Sequence, residues 1–181
     1  MKGKKILGMI VIVATLTACK SKTLEEAIQT EIPFNIERVV YTEKVEEGEI
    51  VLYITEQKKE EEPIEAMAAA FMKKSKKSKW ENAGNNHWDY DENPNMTVYM
   101  NTFYDYDKKG NLENRIPIIY GKVNNENIQA VQVAEGSGEY EEAKLIYSNG
   151  SQYFFKLGDY LAAKGTDGKG EVIEEYEKRN R

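Results

Sequence analysis

The sequence predicts an α+β domain, with two short helices set against a mostly antiparallel β-sheet or small sandwich. Three observations carry that expectation. Runs of β-branched and aromatic residues recur between turn clusters along most of the chain. A hydroxyl-led capping pattern opens one helix near residue 23, and an i, i+3, i+4 apolar pattern between residues 60 and 80 marks a second.

The first helix begins at Thr23-Leu24-Glu25-Glu26, a capping box in which Glu stands three residues after the hydroxyl, and runs to about Thr30 before Pro33. IERVVYTEKV and EIVLYITEQ follow, joined across Glu46-Glu47-Gly48, and read as a hairpin. The second helix is expected over EEEPIEAMAAAFMKKSKKSKW. There Ile64, Met67, Ala68, Phe71 and Met72 fall on one helical face, and Pro63 suits a first turn. Glu60, Glu61 and Glu62 would meet the positive end of its dipole, and Lys73, Lys74, Lys76, Lys77 and Lys79 the negative end.

Beyond Trp88 the signals are β: MTVYMNTFYDY, RIPIIYGKV, ENIQAVQVA, AKLIYS, SQYFFKL, YLAAKG and EVIEEYE, some eight or nine strands with those before. Asn149-Gly150 suits the φ > 0 positions of a two-residue type I′ loop. Pairing outward from it sets Ile146 opposite Tyr153 and Leu145 opposite Phe154, apolar on both faces, so this pair needs a cover on each side. The Ile64 to Met72 helix is the expected cover for one of them. Gly136-Ser137-Gly138 reads as a loop inside one domain, 23–181.

Ahead of that domain, Met1-Lys2-Gly3-Lys4-Lys5 is basic and Ile6 to Ala18 carries no charge. As a helix the apolar stretch spans about 20 Å, short of a bilayer core of about 30 Å, so a signal peptide over 1–18 fits better than a permanent span. Leu16-Thr17-Ala18-Cys19 resembles the lipobox of bacterial lipoproteins. The resemblance implies a diacylglyceryl thioether on Cys19, cleavage just before it, and a short lipidated tether, 19–22, on the outer face of the cell membrane. Two acyl chains make a stable anchor where one is marginal. Lys20 and Lys22 lie where anionic head groups would attract them. Across IPFNIERVVYTEKVEEGEIVLYI, RIPIIYGKVNNENIQAVQV and AKLIYSNGSQYFFKL the chain is similar to small lipoproteins of unassigned function from Gram-positive bacteria.

Loss of 1–18 removes three lysines and leaves 22 basic against 31 acidic side chains, a net charge of −9. That balance excludes a nucleic-acid partner, which needs clustered Lys and Arg. Cys19 is the sole cysteine, so no thiol is left for a disulfide or a zinc site once it is acylated.

Asp89, Asp91, Asn93 and Asn95 alternate like the early ligands of a calcium loop, but Pro94 and Met100 stand where that loop needs Gly and Glu. Asp105-x-Asp107 starts a second series and fails at Lys109 and Ile116. His87 is the single histidine, so two-His zinc motifs are out. No nucleophile elbow or phosphate-binding glycine loop occurs. Carboxylates are too abundant for any catalytic pair to stand out. The lysine run ending at Trp80 offers a basic patch for wall polymers or lipid, although a helix C-terminus already explains it. Most tyrosines sit in strand patterns and are read as core.

The expectation is a non-catalytic, lipid-anchored binding module that needs no cofactor. It meets the membrane through Cys19 and a protein or cell-wall partner through sheet edges or a loop. The alternative is an envelope enzyme or cation-dependent module centred on His87, Asp89 and Asp91.

Overall fold

The computed structural model describes residues 22–46, 48–75, 79–84, 86–136 and 138–178. One helix, α1 (Leu24–Glu31), is followed by β1 (Ile36–Val45), β2 (Gly48–Lys59), β3 (Glu62–Lys74), β4 (Trp80–Asn82) and β5 (Trp88–Asp89). Then come β6 (Tyr99–Tyr106), β7 (Leu112–Val123), β8 (Ala130–Ala134), β9 (Glu141–Glu142), β10 (Lys144–Ser148), β11 (Ser151–Leu157), β12 (Ala162–Thr166) and β13 (Val172–Glu177). These strands form three antiparallel sheets, ordered β1-β2-β3-β4 with β5 also on β3, then β10-β11-β7-β6, then β13-β12-β8-β9.

The α+β class with two helices is therefore corrected: the fold is a β-sandwich-like stack with a single helix among the described residues. The segment expected as a second helix is β3, paired with β2 from Gly48↔Lys73 to Lys59↔Glu62. The reason is burial on both faces. Met67, Ala69 and Phe71 point into the core shared with the second sheet, while Ala68, Ala70 and Met72 point into the core under α1. When every residue from 66 to 72 is buried, apolar spacing satisfies a helix and a strand equally. The turn into β3 confirms the strand geometry. Glu60 (φ 51°) and Glu61 (φ 72°) both take left-handed backbone, as a two-residue primed hairpin loop requires.

The first helix and the nine expected strands form, and β4, β5 and β9 are short strands beyond that expectation. In α1 the Thr23 hydroxyl accepts from the Glu26 N–H at 3.2 Å, and the Thr23 N–H donates to Glu26 Oε2 at 3.1 Å. Ala27 and Ile28 seat this helix on the outer face of the first sheet. The β1–β2 hairpin is present, and Asn149 (φ 50°) and Gly150 (φ 76°) turn β10 into β11. Leu145↔Phe154 and Ile146↔Tyr153 are the observed partners.

Their two faces are covered by sheets, not by a helix. Ile146, Tyr153 and Phe155 pack against Ile50, Leu52 and Phe71 of the first sheet, and Leu145 and Phe154 against Val131, Val133 and Ala163 of the third. The second sheet is thus the middle layer, with both faces in core. Each large apolar side chain buried there contributes about 1.5–3 kcal/mol relative to exposure. Close approach at one point needs glycine: a Cβ on Gly121 would lie 1.9 Å from the Thr97 carbonyl oxygen, where residues 96–97 cross β7.

Candidate functional site

The sequence places His87, Asp89 and Asp91 together, and the structure keeps His87 beside Asp89 but turns Asp91 into a separate cleft. β5 pairs Asp89 with Met67 at the end of the first sheet. The fully buried Tyr120 donates its hydroxyl to Asp89 Oδ2 at 2.8 Å. Burial first, and then the Asp89 charge, push the Tyr120 hydroxyl well above its ordinary value, so it remains a protonated donor. The exposed His87 has Nε2 3.6 Å from the same carboxylate oxygen, an ion-pair distance too long for a hydrogen bond. Asp91 lines a separate cleft of about 120 Å³ between the first two sheets, with Tyr90, Tyr99 and Lys122. Burial, with Asp89 and Asp91 nearby, raises Tyr99 to about 12. At the same mouth Arg38 makes two bonds to Glu65, at 3.1 and 3.2 Å, and a third to the buried Tyr153 hydroxyl.

The two acidic series do not converge on a point. Asn93 Oδ1 accepts from the N–H groups of Asn95 and Met96, and both asparagine amides donate to Glu174 at 3.3 and 2.8 Å. Asp105 is buried against Lys73, joining the second sheet to the first. Asp107 closes its own turn by accepting from the N–H groups of Lys109 and Asn111. Among the described residues no three His, Cys, Asp or Glu side chains are grouped to hold a metal ion.

The lysine run loses its explanation with the helix. Lys73 is taken up by Asp105, Lys74 stacks over Trp80 at 5.5 Å, and Lys76 and Lys77 lie outside the described residues. So does Cys19, and with it the signal peptide expected over 1–18 and the expected tether up to Ser21.

A site that sequence reasoning missed lies at the end of the second sheet, beside the β7–β8 connection. A cleft of about 770 Å³ opens there, within the size range of small-ligand sites. Its floor is apolar, made by the buried Val123 of β7 and Ile128 of the β7–β8 connection. Its walls are amides: Asn124, Gln129 and Gln152. Lys122 and Glu126 add one charge of each sign.

Tyr147 of β10 forms the rim and is 76% exposed, whereas Tyr53, Tyr120 and Tyr153 are fully buried. Gln152, directly opposite on β11, donates from Nε2 to the Tyr147 hydroxyl at 3.1 Å and so holds the ring in place. The chemistry of the cleft is recognition: an uncovered aromatic face, paired donors and acceptors, and no net charge. The available signal was the register itself, since one more step inward to the Asn149-Gly150 loop pairs Tyr147 with Gln152.

No protein-family model, curated protein or solved structure matches the chain. Among the described residues, no helix is long and apolar enough to cross a membrane.

Proposed function

We propose that this chain is a lipid-anchored, non-catalytic binding module of the cell envelope. It is tethered through Cys19 on the outer face of the cytoplasmic membrane and engages a cell-wall or protein partner. The observation that carries the reading is the open polar cleft beside Tyr147, whose side chains recognise but do not assemble a nucleophile, a base and an orienting group. The lipobox sequence supports the anchor. Three residues separate Cys19 from the helix cap at Thr23, a reach of about 14 Å at full extension, so the domain would work close to the lipid surface.

The test is retention of the full chain on purified envelope fragments. Replacing Gln129 and Gln152 together by Ala is expected to lower capture while leaving the melting midpoint unchanged. Capture indifferent to those changes would remove the cleft as the contact surface, and turnover of an envelope substrate by the chain would overturn the non-catalytic reading.

A further inference from the structure

We infer that the cleft beside Tyr147 is a glycan site that takes an uncharged oligosaccharide, an inference that rests on the binding-module reading above. The ring of Tyr147 is the first ground. At 76% exposure it is the most uncovered of the large apolar side chains described, yet its hydroxyl is fixed by Gln152 at 3.1 Å. A fixed, open aromatic face suits a pyranose ring, whose axial C–H groups carry slight positive charge and pack on the negative face of the π-system.

The amides are the second ground. Gln129 presents both a donor and an acceptor, and Asn124 and Gln152, which each give one N–H to the Asn93 carbonyl and the Tyr147 hydroxyl, keep a second N–H and a carbonyl, the same pairing that neighbouring sugar hydroxyls present in return. A lipid tail would leave the Gln129 amide and the remaining donors and acceptors of the other two unpaired, at a cost for each.

Charge is the third. Lys122 and Glu126 cancel at the cleft, and the chain beyond residue 18 carries −9, so a phosphate-rich or carboxylate-rich polymer would be repelled. A neutral, polyhydroxylated chain is the ligand class that meets all three conditions.

The experiment is calorimetric titration of the full chain in detergent with three neutral hexasaccharides: β-1,4-linked N-acetylglucosamine, β-1,4-linked glucose and α-1,4-linked glucose. At least one is expected to bind saturably. Tyr147→Ala should then weaken Kd by about tenfold through lost stacking, while Tyr147→Phe, which keeps the ring, stays within about threefold. Gln152→Ala should weaken it by about fivefold, since it removes a donor and frees the ring. All three variants should melt as the parent does, because the altered atoms are at the surface. Saturable binding that Tyr147→Ala leaves unchanged would overturn the inference, and so would absence of binding by all three sugars. If the sugars fail while envelope capture still depends on Gln129 and Gln152, the glycan assignment falls and the binding module stands. Failure of both experiments removes both.

Discussion

Lys73 and Asp105 meet in the core between the first and second sheets, with side-chain exposures of only 17% and 6%. Charges removed from water persist there because they neutralise each other. Lys73→Met is expected to cost about 3 kcal/mol, by leaving the Asp105 carboxylate buried beside an apolar chain, and Asp105→Leu in the same protein should restore most of it. Denaturant midpoints of the single and double variants check this. The Arg38 and Glu65 pair answers to pH instead. Its hydrogen bond to Arg38 holds the Glu65 carboxyl below the usual carboxylate range. A carboxylate lowered in the folded state stabilises above its ordinary value and loses that contribution as pH falls through its lowered one. Glu65→Gln should therefore show a shallower loss of stability below about pH 4.3. The difference should be small, because the Glu65 side chain is half exposed and solvent screens the pair.

Among the elements, the β2–β3 hairpin is the longest pairing, and it is closed by a turn poorly suited to its residues. Left-handed backbone costs a side-chain-bearing residue about 1 kcal/mol, and Glu60 and Glu61 both adopt it. Glu60→Asn with Glu61→Gly should raise stability by about 1 kcal/mol, read as a shift in the unfolding midpoint at unchanged slope. Gly121→Ala should act oppositely, costing about 3 kcal/mol, since a Cβ there meets the Thr97 carbonyl and the Phe154 ring. The same hairpin marks the limit of what the sequence discloses. Where one face is core and the other solvent, the period is unambiguous, as in α1. At the Asn149-Gly150 hairpin, loop chemistry alone set the register correctly. In β3 both faces are core, six of the seven residues from 66 to 72 are Ala or Met, and acidic and basic flanks imitate a helix dipole. The decisive constraint is the partner strand β2, which lies outside any local window.

At the scale of the molecule, the candidate cleft is assembled from separate parts of the chain, with the end of β7 and the β7–β8 connection brought beside Tyr147 and Gln152 of the second sheet. The common face of Tyr147 and Gln152 follows from strand alternation, but which connection folds beside them is a tertiary fact without a local signature. The proposed leader has the converse standing: it is read from sequence, and Cys19 lies outside the described residues. For the anchor proposed above, Cys19→Ser is expected to move the protein from the membrane to the soluble fraction on cell fractionation, and unchanged membrane retention would contradict it. The order of the strands has a further consequence. The first sheet is drawn from one continuous stretch, residues 36–89, whereas the second and third interleave, β6–β7 then β8–β9, β10–β11 then β12–β13. Neither of these two can be completed without chain that belongs to the other. They should therefore unravel as one cooperative unit, losing amide hydrogen-exchange protection together, while the first sheet and α1 open at a free energy of their own. With the anchor proposed above, a chain emerging from its N-terminus would thus present the first sheet and α1 before the rest, as a half-covered template on which the other two sheets, woven jointly, close last.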